Sequence, residues 1–361
     1  MIRKGFTLVE LLIGSVLMLI VIIGGLTIYM RSNKITVDQQ QITEVQHDVR
    51  NSMFLITRDI RMAGVGMPVE FSGYFLEGVN NDPTDTADTD IHPDRLKMMG
   101  NVEDPLVLKI QSYQGASVTV SVEDYSLEEF PYPDVFYTNK TVVILPNPAS
   151  ACHAAEVRII THVTHDADGK NEKINCSPGL APGIDPPGGL SGTCSSSNDY
   201  NGGYVGFIDL KEYWLDVTGA YPGLTPGTDG YIGGTDGAGI LYVTHNGVHY
   251  PIAQNIENIQ FQYNGDLDAD GALDGFMDWN PVWTVAQVEL IRDVRVIILG
   301  RTANKAVSVS GTPTGGSFIY RRPKIADSED PGPVDLHKRY LLESTANIRN
   351  MSLNIYNSGV R

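Results

Sequence analysis

The first thirty residues, MIRKGFTLVELLIGSVLMLIVIIGGLTIYM, constrain the chain more than any other stretch. After Arg3, Lys4 and Gly5 comes an apolar run of about 25 residues, long enough as a helix to cross roughly 30 Å of hydrocarbon. The run is too long for the core of a secretory signal peptide, and no small-x-small cleavage site ends it before Tyr29, Met30 and Arg31. Arg3 and Lys4 before it favour a cytoplasmic N-terminus, although Arg31 and Lys34 come after it. An ordinary signal anchor would fit everything except Glu10, the single charge in the run. A lone carboxylate at that depth costs on the order of a few kcal/mol unless it is paired, so Glu10 reads as a functional residue with a partner.

Beyond the run, Ile42, Val45, Val49, Met53, Ile56, Ile60 and Ala63 recur in steps of three and four, one stripe of an amphipathic helix. Gly64, Gly66 and Pro68 stop it. The hydrophobic part, 6–30, and its amphipathic continuation, 31–66, would form one helix, roughly 87 Å long from Phe6 to Ala63, with Gly24 and Gly25 as a place to bend. The stripe suits a coiled coil or packing under a sheet.

From 67 onward the pattern changes to short β-rich runs divided by Gly, Pro, Asn and Asp. Strands are expected at 106–110, 117–122, 141–145, 156–163, 204–208, 240–244, 248–253, 256–263, 293–301, 317–320 and 339–348. His245-Asn246-Gly247-Val248 reads as a two-residue hairpin turn. The stretches 177–203 and 218–239, rich in Gly, Pro, Ser and Asp, read as long surface loops. The expected fold class is α+β: a long N-terminal helix packed on a β-rich headpiece at 67–361, with subdomains at about 67–239 and 240–361. The formal charge of −17 excludes nucleic acid as a partner. Cys152, Cys176 and Cys194 allow one disulfide in an oxidising compartment. The expected pair is Cys176 with Cys194, which closes a short loop rich in Pro and Gly that otherwise has little to hold it, with Cys152 as competitor.

Asp266-Leu267-Asp268-Ala269-Asp270-Gly271-Ala272-Leu273-Asp274 is the strongest candidate for site chemistry. Asp266, Asp268, Asp270 and Asp274 stand at positions one, three, five and nine around a turn glycine, the D-x-D-x-D-G arrangement that wraps Ca²⁺ in oxygen. Met277 replaces the usual twelfth-position glutamate, so a weak site is expected, completed by water, a carbonyl or Asp278. His162 with His165, and His245 with His249, read as surface or turn histidines rather than metal ligands. Trp279 and Trp283 read as core or loop anchors. No nucleophile-elbow, Walker or dinucleotide motif occurs, and no enzyme is expected.

Gly5-Phe6-Thr7-Leu8-Val9-Glu10 closely resembles the processing site of type IV prepilins and type II secretion pseudopilins. The resemblance implies cleavage by prepilin peptidase between Gly5 and Phe6, removal of residues 1–5 as a leader and N-methylation of Phe6. Losing Arg3 and Lys4 would take the charge from −17 to −19. It also implies that Glu10 meets the terminal amine of a neighbouring subunit in a filament. The segments 50–64, 240–263, 293–301 and 339–350 resemble PilW-type minor pilins. That likeness implies an inner-membrane protein with its headpiece in the periplasm, partnered by other pilins through the N-terminal helix, that primes or caps a pilus at the cell surface. The J-type pseudopilin of type II secretion shares much of this plan and stays as the alternative, ahead of a membrane-anchored adhesin or binding module.

Overall fold

The computed structural model describes residues 8–65, 75–80, 93–100, 107–115, 118–123, 136, 138–152, 155–165, 172–177, 194, 196–216, 239–302, 320–326, 334–335 and 337–348. Helix α1 (Leu8–Met62) is continuous for 55 residues, about 82 Å at 1.5 Å per residue, and passes through Gly24 and Gly25 without a break. Its two halves have opposite fates. From Leu8 to Met30 the large apolar side chains are exposed, while Val45, Val49, Met53, Ile56 and Ile60 are buried. The three-and-four spacing therefore marks a packing stripe under a sheet, and the partners are strands rather than a second helix.

Those strands are β1 (Leu76–Val79), β2 (Arg95–Gly100), β9 (Asp209–Asp216), β10 (Gly239–His245), β11 (Val248–Gly265), β13 (Ile291–Arg301) and β16 (Arg339–Asn347), in that order across one antiparallel sheet, with β12 (Met277–Asp278) added to β11. Helix α1 packs on β11, β13 and β16. Along β13 the side chains alternate between two cores: Val294, Val296 and Ile298 meet the helix layer, and Ile297 and Leu299 pack with Ile325 on the other face. Such burial on both faces explains why this strand is apolar without interruption from Val296 to Leu299. Gly300 permits the closest approach, because a Cβ there would lie 2.7 Å from both Val45 and Val49. The expected hairpin forms, with His245 opposite Val248 and both Asn246 (φ 49°) and Gly247 (φ 81°) left-handed, as a type I′ turn requires. The two strands expected at 248–253 and 256–263 are one strand, bent where Asn255 turns left-handed (φ 60°).

Six further strands, β3 (Val107–Gln114), β4 (Thr119–Val122), β5 (Thr141–Leu145), β6 (Glu156–His165), β7 (Glu172–Cys176) and β8 (Tyr204–Phe207), close into a barrel in the order β3-β4-β7-β6-β5-β8. Its core holds Ile110, Val120, Val142, Ile144, Ile160, Ile174 and Val205. The barrel also encloses a paired charge: Arg158 donates to Glu156 at 2.8 Å, and the Tyr113 hydroxyl donates to the same carboxylate at 2.9 Å. A division at 239–240 does not describe this architecture. β1, β2 and β9 precede that line yet belong to the sheet with β10, β11, β12, β13 and β16, and the barrel is an insertion between β2 and β9, which pair directly. That pairing spans the whole insertion and leaves no local pattern in the sequence. The remaining described pieces are β14 (Tyr320–Arg321) paired with β15 (Val334–Asp335), the short helix α2 (Val285–Val288) and a 3-10 turn at Ser197–Tyr200.

The end of α1 is tied to the sheet by charge. Asp59, 3% exposed, accepts from Lys211 Nζ at 2.8 Å and from the Tyr213 hydroxyl at 2.7 Å, and Arg58 pairs with its other oxygen at 2.8 Å. Burial alone would raise the Asp59 carboxyl, but Lys211, Tyr213 and Arg58 outweigh it and hold the group below its ordinary value of 3.8. Because the folded value is the lower one, this contribution is full above pH 3.8 and is lost as pH falls through the folded value. Asp59→Ala leaves Lys211 facing a buried gap and is expected to cost about 3–5 kcal/mol. Urea melts of the full-length chain in detergent measure this. The wild type should lose its advantage over Asp59→Asn only on acidification below pH 3.8.

Candidate functional sites

The exposed half of α1 is the first candidate. Glu10 lies in the first turn of the helix, where a carboxylate is favoured by the unpaired N–H groups. Around it Leu8, Val9, Leu11, Leu12 and Ile13 are all exposed, so an apolar surface surrounds a charge. Gly5 and Phe6 lie outside the described residues. The helix is long and apolar enough to cross a membrane, and none of its most apolar window is buried within the chain.

The acidic loop is the second. It forms the tip between β11 and β12, whose pairing Gln262 to Asp278 and Tyr263 to Met277 closes its base. Carboxylate oxygens of Asp266, Asp268 and Asp270 come within 4.8 Å of one another. Backbone geometry produces this convergence. Ala269 (φ 59°) and Gly271 (φ 91°) both turn left-handed, and the loop folds back on its first carboxylate. Asp270 N donates to Asp266 Oδ1 at 2.9 Å, Gly271 N donates to Asp266 Oδ2 at 3.0 Å, and Ala272 N donates to Asp270 Oδ1 at 2.8 Å. Asp274 departs from the expected set of four. Its Oδ2 accepts from Leu267 N at 2.7 Å, which latches the loop, and it does not join the three convergent oxygens. Asp278 is likewise held in β12, accepting from Gln262 at 3.1 Å. Behind the loop Tyr263, Trp279 and Trp283 pack edge to face with centroids 5.1–6.2 Å apart, all buried, so the tryptophans are core anchors.

The histidines do not converge. His245 sits 3.1 Å from Asp209, and His249 lies 2.7 Å from the Thr244 hydroxyl, which also accepts from the Trp214 indole at 2.8 Å. His162 lies on β6, opposite Asn175.

The cysteines correct the expected pairing. Cys152 and Cys194 form the disulfide, with Cα atoms 5.8 Å apart, and Cys176 is a free, buried thiol. Cys176 is the last residue of β7, where its side chain belongs to the barrel core with Ile160 and Ile174. Burial pushes its thiol up to about 12, which keeps it protonated and unreactive. Cys194 is instead held at the barrel's edge by its N–H donating to the Tyr200 hydroxyl at 3.1 Å. A short, otherwise unsupported loop was the wrong criterion, because β7 carries Cys176 into the barrel core.

No family model matches the chain, and no curated relative does. Among solved structures, a type IV-like pilin from Thermus thermophilus aligns over 60% of this chain and 87% of that one, at 11% identity and a TM-score of 0.20. A superposition that loose establishes no common topology.

Peptide mapping without reductant should recover Cys152 linked to Cys194. Cys176 should resist alkylation in the folded protein and react once guanidinium unfolds it. Cys152→Ser opens a loop of 42 residues and is expected to cost about 4 kcal/mol through the unfolded state. Rapid alkylation of native Cys176 would contradict the arrangement.

Proposed function

We propose that this chain is the precursor of a filament subunit, a PilW-type minor pilin, whose α1 anchors it in the inner membrane and later packs among the helices of its neighbours. One observation carries the reading: the sequence string Gly5 to Glu10 is that of a processing site, and the helix described from Leu8 onward has an apolar, wholly exposed upper half and a lower half locked to a folded domain. An exposed apolar surface of that length needs lipid first and other helices afterwards. In this reading prepilin peptidase cuts between Gly5 and Phe6 and methylates Phe6. Glu10 then pairs with the terminal amine of an adjacent subunit, a buried pair that sets axial register more than it adds stability. The large sheet-and-barrel domain is awkward to repeat along a shaft and suits a tip, where it primes or caps assembly. The J-type pseudopilin of type II secretion is the second reading.

A divalent cation belongs to the same proposal. Asp266, Asp268 and Asp270 fit Ca²⁺ by the chemistry of their donor set: three convergent carboxylates, a turn glycine at position six, and backbone N–H groups already holding the side chains in place. Bound there, the ion would neutralise the three charges and brace the connection from β11 to β13. With Asp274 used as a latch and Met277 at position twelve, affinity at the weak end, about 10⁻⁴–10⁻³ M, is expected.

Intact-mass measurement of filament-associated protein should show loss of residues 1–5 and gain of one methyl. Glu10→Ala should be processed and stay in the membrane but fail to enter filaments. Deletion that leaves piliation unchanged and abolishes protein secretion would favour the pseudopilin. Retention of the leader in filaments would refute the processing step, and full function of Glu10→Ala would favour an anchored binding module.

For the cation, calcium at ten times its dissociation constant should raise the melting point of the full-length chain in detergent by about 2 °C over chelator. Asp268→Ala should abolish that rise. Identical melts in calcium and in chelator would leave the loop as a solvated acidic turn.

A further inference from the structure

At one end of the large sheet, β13 finishes at Arg301 directly opposite Arg339, the first residue of β16. The face turned away from α1 is covered there by 322–326, with Ile325 packed on Ile297 and Leu299. Arginine is concentrated under this cover: Arg301 is 7% exposed and Arg322 5% exposed, with the buried side chain of Arg339 beside them. Glu257 is the carboxylate between Arg339 and Arg322, and Arg339 claims both of its oxygens, Nε to Oε2 at 2.6 Å and Nη2 to Oε1 at 3.0 Å. Arg322 Nε comes no closer to it than 3.8 Å and is left without a hydrogen bond. Arg301 is more isolated still. Its Nε and Nη2 are buried with no hydrogen-bond partner, and no carboxylate among the described residues reaches it.

Guanidinium is always charged and cannot shed its proton to ease burial, so the usual relief for a stranded basic group is closed to it. Water could satisfy the N–H groups but not the charge. In a chain of net charge −17, a buried concentration of arginine is not part of a general basic surface. We infer that Arg301 and Arg322 form a binding site for an oxyanion of the phosphate or sulfate type. Two planar forks can hold such a group with parallel N–H···O bonds, and the low dielectric under the 322–326 cover strengthens each contact. Glu257 holds Arg339 at the margin and keeps the site from closing on itself.

The position suggests where the oxyanion comes from. Lys338, next to Arg339, donates to Asp38 of α1 at 3.2 Å. Asp38 stands about 12 Å along the helix axis beyond Met30, where the apolar run ends. The site is thus close to the end of the domain that adjoins the membrane segment, within reach of either a free anion or the phosphate of a lipid headgroup.

The test uses the full-length chain in neutral detergent, melted with sodium phosphate, sodium sulfate or sodium chloride at matched ionic strength, and with dioleoylphosphatidylglycerol or dioleoylphosphatidylcholine added to the micelles. Phosphate at ten times its dissociation constant should raise the wild-type melting point by about 2 °C above chloride. Arg301→Met and Arg322→Met should each lose that increment, and Arg301→Met should melt no lower than wild type in chloride, since it removes a buried charge that nothing offsets. A rise with the phosphatidylglycerol and not with free phosphate would assign the oxyanion to lipid; a rise with both would assign it to the free ion. General salting-out would raise wild type and variants alike, and that outcome overturns the inference. So does the absence of any rise. Marked destabilisation of Arg301→Met in chloride would also overturn it, by showing that the arginine is already paired within the chain.

Discussion

Everything in this molecule is arranged around one seam, the burial of a single stripe of α1 against β11, β13 and β16 at one side of an antiparallel sheet. Val45, Val49, Met53, Ile56 and Ile60 come from 16 residues of helix, and the strands that receive them come from residues as far apart as Arg95 and Asn347. The seam tolerates almost no change of separation. Gly300 has no side chain because Val45 and Val49 occupy the place where one would be. At its far end Asp59 exchanges the water it would otherwise hold for Lys211, Tyr213 and Arg58, which fixes where along β9 the helix must stop. An apolar stripe alone could slide by a turn; a buried carboxylate with three partners cannot.

The same helix therefore lives in two solvents. Its upper half exposes Leu, Ile and Val that the domain below cannot cover, and its lower half is as much a part of the core as any strand. This division is why removal of residues before Gly66, the simplest way to obtain a soluble fragment, would strip the sheet of its hydrophobic partner. The domain needs the helix from about Val45 onward.

Local signals were legible in the sequence in proportion to how locally they act. The stripe from Ile42 to Ala63 is a repeat within one helix and was readable as such, and the Asn246-Gly247 turn is a property of two residues. Strand β5 has the same limits, Thr141 and Leu145, that its β-branched run suggests. In the acidic loop, spacing was enough to bring Asp266, Asp268 and Asp270 together, but not to reveal that Asp274 is consumed by Leu267 N. Partners that lie far apart in the chain left no trace. Strand β9 reads DLKEYWLD, with charges interleaved, because Lys211 answers Asp59 and Glu212 answers Arg95, neither of which is near it in sequence. Cys176 looked available for the disulfide only because its strand had not been recognised. Arg301, Arg322 and Arg339 are three unremarkable arginines until β13 and β16 are paired and the 322–326 segment is laid over them.

The barrel leaves and returns to the sheet at neighbouring strands. Gly100 at the end of β2 lies opposite Asp209 at the start of β9, so the stretch 101–208, barrel included, is in topological terms the loop of a hairpin. The cost of closing a loop rises only with the logarithm of its length, about 0.6 kcal/mol per doubling. Descendants of this chain could enlarge, exchange or discard the barrel with the pairing of β2 to β9 intact and the seam under α1 undisturbed. Two degrees of constraint are then built into one polypeptide: a layer bound by its fit to the helix, and an inserted one that this fit does not bind.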